Sequence, residues 1–404
     1  MSRVGHGQPD ISDLPVSAPA SNDTTRRGNL SLVLSLVHHK RAISRAELTR
    51  VTGLNRSTIG TLVSHLVELG LVIEGRASGN SQIGRPSPTV TPNRSLAALA
   101  INPEVDAVTV GLVGLGGEVI RKIRFATLQS PTPAEVANIS AAILEGMKVE
   151  LESGYRIVGV GVGVPGLTRV EDGVVSYAPH LGWRDAPVAQ LIAEATGYTV
   201  TAANDASLGA VAELQFGGGQ GCLDLVYLNG GPSGIGGGVA GGGALRTGRN
   251  GYAGELGHTL VRTDGADCHC GGSGCLETEV SLARLQELVG LEGADLDEVN
   301  RALREGDPTV IMPEIHRQLD YLAITLRNAV NAFNPERIIL GGFLASLYSM
   351  DPQYLVSQVR ARALHGPGEV VEISEAVLGS NILMIGAAEL AFTRLLADPL
   401  IPLP

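Results

Sequence analysis

The 404-residue sequence predicts an α/β protein in which an N-terminal winged helix-turn-helix precedes two α/β lobes around a cleft. Three observations carry that prediction. Charge is segregated: residues 26–94 hold ten Lys/Arg and three Asp/Glu, a net of +7, although the whole chain stands at −11. A basic module on an acidic body is the distribution expected when one domain contacts nucleic acid. The apolar pattern also changes near residue 95, from helical spacing to β-branched runs punctuated by glycine. Finally, three of the four cysteines fall within eight positions, at 268, 270 and 275, which points to metal rather than to a disulfide scaffold.

Composition narrows the function classes. Aromatics are 3% of the chain, so nucleic-acid binding by base stacking is disfavoured. No apolar run reaches the roughly 18 residues of a membrane span, and no basic-then-apolar leader opens the chain. A cytoplasmic protein without membrane contact is expected.

The elements follow in order. Residues 1–25 are rich in Ser, Pro, Asp and Gly and are expected to form a disordered arm. Residues 26–95 read as one compact unit. Leu30, Val33, Leu34 and Val37 recur at helical spacing. Ser44 with Glu47 three positions later is a capping box for a helix to about Thr52. Gly53 supplies the turn, and Asn55 caps a second helix, Arg56 to Leu69, whose Ile59, Leu62, Val63 and Leu66 form the buried stripe. Strands near 71–74 and 87–90 would flank a wing with its tip between Arg76 and Arg85. The second helix would enter a major groove, with Arg56, Ser57, Thr58 and Thr61 at its leading end. Arg45 and Arg76 would hold phosphates. Arg85, extended by Pro86, could reach a minor groove. The competing reading is a small protein-contact domain; the caps, the glycine turn, the wing and the charge together favour double-stranded DNA.

From residue 96 strands are expected at 97–100, 107–113, 119–125, 157–164, 199–203, 223–228, 235–240 and 337–340. Helices are expected at 134–151, 188–196, 205–216, through 281–333, directly after Gly341-Gly342, and at 381–396. Mixed this way, in two halves, they suggest two lobes with a cleft between them.

The sharpest motif is Gly254-Glu255-Leu256-Gly257-His258 followed by Cys268-His269-Cys270-Gly271-Gly272-Ser273-Gly274-Cys275-Leu276-Glu277. His258, Cys268, Cys270 and Cys275 form a one-His, three-Cys set with no spare position, which suits structural Zn²⁺. The glycines let the loop curl around the ion. His269 is expected to be exposed rather than bound, and Cys222 to be a core residue.

This stretch resembles the zinc signature of the ROK family (repressors, open reading frames and kinases). Three further segments match in the family's order: Gly163-Val164-Pro165-Gly166 resembles its turn at the sugar cleft, Asn204-Asp205 its sugar-binding pair, and Arg337 to Gly342 its strand and Gly-Gly turn near the adenosine site. The resemblance implies an actin-like, two-lobed ATPase fold: an N-lobe at 96–203, a C-lobe with the zinc loop at 204–380, and a C-terminal helix, 381–404, returning to the N-lobe. It also implies a sugar site built from Gly166, Asn204, Asp205, Glu255, His258 and Glu277. Convergent carboxylates suit a ring of hydroxyls, and His258 can bind metal with one nitrogen while offering the other to a hydroxyl.

Two departures bear on function. His180 stands where the family often has Asn. The kinases' Asp-x-Gly-Gly-Thr phosphate loop is replaced by Ala100-Ile101-Asn102-Pro103-Glu104-Val105-Asp106. A phosphate cradle needs close backbone N–H groups and a carboxylate for Mg²⁺; Pro103 removes an N–H and Glu104 adds like charge. The expected function is therefore a sugar-responsive transcriptional regulator, a repressor rather than an enzyme, acting on carbohydrate genes as a homodimer or homotetramer. The alternative is an ATP-dependent sugar kinase carrying a helix-turn-helix, with Asp205 as general base.

Overall fold

A computed structural model describes residues 22–75 and 87–403. The arm at 1–21 and the wing tip, with Arg76 and Arg85, lie outside the described residues. The N-terminal helix α1 spans Asn22–Lys40, so it takes in the last residues assigned to the arm. β1 (Ile43–Ser44), α2 (Arg45–Thr52), α3 (Arg56–Glu68), β2 (Val72–Gly75) and β3 (Thr89–Pro92) complete the winged helix-turn-helix. Its small antiparallel sheet has the order β1-β3-β2. Ser44 Oγ accepts the Glu47 N–H and Asn55 Oδ1 accepts the Thr58 N–H, so each helix has a side-chain N-cap. Gly53 stands at φ 71°, the left-handed conformation that a β-carbon disfavours, and turns the chain between them.

Two sheets follow, built to one plan. The first takes β4 (Leu96–Pro103), β5 (Ala107–Gly114), β6 (Glu118–Ala126), β7 (Arg156–Val164) and, later in the chain, β11 (Val200–Asn204), in the order β11-β7-β4-β5-β6. Helices α4 (Pro133–Gly146) and α5 (Lys148–Gly154) precede β7. The short strands β8 (Leu167–Thr168), β9 (Val175–Ala178) and β10 (Trp183–Ala186) form a three-stranded flap, and α6 (Val188–Thr196) leads into β11. After α7 (Asp205–Phe216) the second sheet takes β12 (Leu225–Gly231), β13 (Gly234–Gly241) and β14 (Ala244–Leu245). Helices α8 (Leu276–Glu279), α9 (Leu282–Val289), α10 (Leu296–Glu305) and α11 (Pro308–Phe333) come next. Then come β15 (Arg337–Gly342), α12 (Phe343–Met350), α13 (Pro352–Arg362), α14 (Pro367–Val370), β16 (Glu372–Glu375) and α15 (Ile382–Ala397). The order is β14-β13-β12-β15-β16. In each sheet a three-stranded antiparallel meander joins two parallel strands. This is the actin-like architecture.

Several expected boundaries shift. The helix expected at 134–151 breaks at Met147, and the stretch 281–333 is three helices. Gly290 in the left-handed conformation ends the first of these, while Asp295 and Asp307 accept backbone N–H groups to start the next two. The flap strands, α13, α14 and β16 were not anticipated.

The winged module has no core of its own. Leu30, Val33, Leu34, Ile59, Leu62 and Leu66 belong to one apolar cluster with Leu96, Ala98, Met384, Phe392 and Leu395 of β4 and α15. α15 also packs against β7, β4 and α7. At this seam His38 is fully buried. Its Nδ1 accepts the Gly116 N–H at 2.9 Å, so its proton sits on Nε2, which donates to Glu389 Oε1 at 2.7 Å. His39 Nε2 lies 3.5 Å from the other Glu389 oxygen. Burial works to raise the Glu389 carboxyl; the two histidines outweigh it and hold the carboxyl below the ordinary range. The stretch Gly379–Ala397 is, among the described residues, the one long and apolar enough on average to cross a membrane, although Glu389 and Arg394 interrupt it. Here it is the helix that joins module and lobe.

Candidate functional site

The cleft between the sheets is a cavity of about 650 Å³, a normal volume for a small-molecule site. Its floor is the junction of β11 and α7. Asn204 is the N-cap of α7: its Oδ1 accepts the Ser207 N–H at 2.9 Å while its Nδ2 donates to the Gly166 carbonyl at 3.2 Å. Gly166 permits this approach because a β-carbon there would stand 2.5 Å from the Tyr177 carbonyl oxygen. Asp205 opens α7. Its Oδ1 accepts the Ala206 N–H, and burial raises its carboxyl to about 6. Glu255 faces it from the loop after β14. Burial first, then the Asp205 and Glu277 charges, raise its carboxyl to about 7.

Glu277, in the first turn of α8, closes the set. Its Oε2 accepts the Ile235 N–H at 3.3 Å; its Oε1 lies 3.3 Å from His258 Nδ1 and 3.2 Å from His269 Nδ1. The six residues expected at a sugar site, Gly166, Asn204, Asp205, Glu255, His258 and Glu277, all line this one cavity. His180 lines it from the turn after β9, with its ring 4.9 Å from that of His269. Sequence reasoning treated His269 as a bystander. It is part-exposed and lines the cavity, with its ring nitrogen within 4.8 Å of the ligand atoms of His258, Cys268 and Glu277, a second group that could hold a metal ion. The reading also missed Lys122 and Arg124 of β6, since alternation on an edge strand does not say which face meets a cleft.

Next to the cavity, the ligand atoms of His258, Cys268, Cys270 and Cys275 lie within 4.8 Å of one another, and this cluster could hold a metal ion. Cys270 Sγ and Cys275 Sγ are 3.7 Å apart, and Cys268 Sγ is 3.6 Å from His258 Nδ1. His258 Nδ1 thus lies between the Cys268 sulfur and the Glu277 carboxylate.

On the N-terminal module, Arg56, Ser57 and Thr61 are exposed along the first turns of α3, with Thr58 half-buried. Ser57 donates to Asn55 Oδ1 and Thr61 to the Ser57 carbonyl. Arg45 differs from the others: its guanidinium is paired with Glu74 of β2, Nη2 to Oε2 at 2.6 Å, so α2 is tied to the wing's first strand.

The family model for ROK proteins matches residues 99–394, about three quarters of the chain. The chain belongs to the ROK family. Among its ROK relatives, the xylose repressor of Caldicellulosiruptor bescii is 28% identical over 390 residues, 92% of this chain and 97% of that protein. The crystal structure of a ROK family transcriptional regulator, a homologue of the E. coli MLC protein, superposes with a TM-score of 0.75 at 27% identity and covers 93% of this chain and 98% of that one. A ROK glucokinase from Streptomyces griseus, solved with glucose and AMPPNP, gives a TM-score of 0.62 at 26% identity; it is covered to 99% but matches only 74% of this chain. Repressors thus match nearly the full ROK chain, whereas this kinase matches about three quarters of it.

Proposed function

We propose that this ROK protein is a sugar-responsive, DNA-binding transcriptional repressor of carbohydrate genes. The observation that carries the reading is the extent of the similarity to a xylose repressor and a ROK transcriptional regulator, which runs through both the winged module and the cleft. Arg56, Ser57, Thr58 and Thr61 would read bases in a major groove. Arg45, held by Glu74, orients that surface, while Arg76 and Arg85 would act from the wing. A homodimer or homotetramer would impose a two-fold operator. In the cleft, Asn204, Asp205, Glu255, His258 and Glu277 would take sugar hydroxyls.

The metal is Zn²⁺ in this reading. A tetrahedral ion about 2.3 Å from sulfur and about 2.0 Å from nitrogen sets its donors roughly 3.5–3.8 Å apart, in keeping with the 3.6 and 3.7 Å separations in the cluster. Its role would be to hold the loop that carries Glu255 and His258. Catalysis is not part of the reading. Asp205 could serve as a base, but phosphoryl transfer depends on positioning and charge stabilisation at the phosphates, and Pro103 and Glu104 lie where a cradle would be needed.

The test is selection of an operator from random duplex DNA, then titration of the complex with a monosaccharide panel and a parallel ATP-turnover assay. A palindromic operator whose affinity shifts with one sugar supports the reading. Sugar-dependent ATP turnover, or no sequence-selective DNA binding, would overturn it. Metal analysis should give one Zn²⁺ per chain, lost in Cys270→Ser.

A further inference from the structure

The charge lining the cleft is unbalanced, and its cations are already engaged. Five carboxylates line the cavity: Asp205, Glu255 and Glu277 at the end described above, and Glu104 and Asp106 at the other. Among the described residues, the Lys and Arg side chains lining it are Lys122 and Arg124 alone. Arg124 is held from two sides, its Nε donating to Glu104 Oε2 at 3.2 Å and its Nη2 to Asp106 Oδ1 at 2.7 Å. Glu104 is fixed in turn by Thr109, whose hydroxyl donates to Oε1 at 2.6 Å. Lys122 is exposed and donates to the Ser380 carbonyl at 2.9 Å. Five carboxyl groups thus face two Lys/Arg side chains, and the one guanidinium is already taken.

A phosphate needs N–H donors and positive charge at its own position. Here the one guanidinium in the cavity already serves two carboxylates, and a phosphate reaching it would have to displace them while facing three more. An uncharged polyol has the opposite fit, because its hydroxyls can donate to Asp205 and Glu255, which have no Lys or Arg against them. Like charge works as a filter against the wrong ligand. We infer that the cleft takes an uncharged sugar and rejects its phosphorylated form, with Glu104 and Asp106 as the selecting residues that keep Arg124 from an anion. The inference rests on the sugar-effector reading and names its ligand class.

The experiment is isothermal titration of the full-length, metal-replete protein with matched pairs: D-glucose and glucose 6-phosphate, D-mannose and mannose 6-phosphate, N-acetylglucosamine and its 6-phosphate, with D-xylose alongside. The expected result is that at least one uncharged sugar binds and its phosphorylated partner binds at least tenfold more weakly. In Glu104→Gln/Asp106→Asn that ratio should move at least tenfold toward the phosphorylated partner, because Arg124 is released. A phosphorylated sugar binding wild type as tightly as its parent, or more tightly, overturns the inference while leaving the regulator reading intact. A folded double variant with an unchanged ratio also overturns it. If neither D-xylose nor any member of the pairs binds, the sugar-effector reading fails, and this inference with it. Should the double variant not fold, the wild-type pairs still decide.

Discussion

Two places in this ROK protein draw carboxylates out of water, and they are built in opposite ways. At the seam between α1 and α15, Glu389 meets an N–H of His38 at 2.7 Å and His39 at 3.5 Å, and His38 is completed by the Gly116 N–H. Every polar group there has a partner inside the chain, and the carboxyl is held ionised. At the cleft floor, Asp205, Glu255 and Glu277 crowd together with no Lys or Arg against them, and burial raises Asp205 and Glu255 instead. A satisfied buried charge fixes two elements to each other. Charges left without counter-charge store unfavourable desolvation that a ligand's hydroxyls can relieve. The contrast separates a satisfied joint from an unsatisfied cleft without reference to any relative.

The comparison can be broken first at the joint. Glu389→Ala leaves His38 buried with an unmet donor, and a buried N–H left without its acceptor costs about 1–3 kcal/mol. Urea unfolding should register that loss, and Glu389→Gln, whose oxygen still accepts the His38 N–H, should recover most of it. A loss under about 1 kcal/mol for the alanine variant would mean that the joint is no more than a surface ion pair.

At the cleft the sign reverses. Asp205→Asn should stabilise the ligand-free protein near pH 8. The upper limit is about 3 kcal/mol, from a carboxyl raised from 3.8 to about 6 at about 1.4 kcal/mol per pH unit, less whatever solvent screens. The same substitution should abolish the sugar response and leave ligand-free operator binding in place. If the variant is destabilised, Asp205 belongs with Glu389 as a structural group.

The pH profile carries both signs in one measurement. Asp205 and Glu255 have folded values above their unfolded ones. Their contribution is therefore full below about pH 4 and is lost as pH rises through about 6 and about 7. Glu389 is depressed, so its contribution is present above its ordinary value of 4.5 and is lost as pH falls below that. Melting temperature against pH should show the neutral-range decline in wild type and a flatter limb in Asp205→Asn/Glu255→Gln. An unchanged limb would assign the decline to other groups.

The smallest stability effect is expected at the exposed end of α3. Arg56→Ala should change unfolding free energy by less than about 0.5 kcal/mol, yet weaken and relax operator recognition by roughly 1–3 kcal/mol if the guanidinium donates two hydrogen bonds to one base. Fluorescence anisotropy with matched and mismatched duplexes separates the two, and equal binding to both in wild type would remove α3 as the reading helix.

Much was legible in the sequence because its physics is local. The Ser44 and Asn55 caps, the Gly53 turn, the stripe from Ile59 to Leu66 and the start of α7 at Asp205 each depend on residues within a few positions, and each stands where local rules put it. The His258–Cys275 cluster was readable for the same reason: its ligands sit on one short loop. Breaks within long apolar stretches were less legible, although Gly290, Asp295 and Asp307 signalled them.

What only the tertiary structure decided depends on partners far apart in the chain. Nothing near His38 announces Glu389, 351 residues away, because hydrogen-bond satisfaction is a property of the folded interior. The winged module looked separate by charge and periodicity, yet its core runs into α15, since apolar area is buried wherever a complementary face lies. Arg124 carried no signal in the sequence, because its partners Glu104 and Asp106 reach it only through the β4–β5 turn. The sequence by itself determined which elements form and which side chains can do chemistry. The fold determined which of those side chains are satisfied within the chain and which are not, because satisfaction is a matter of distance in space and not of spacing along the chain.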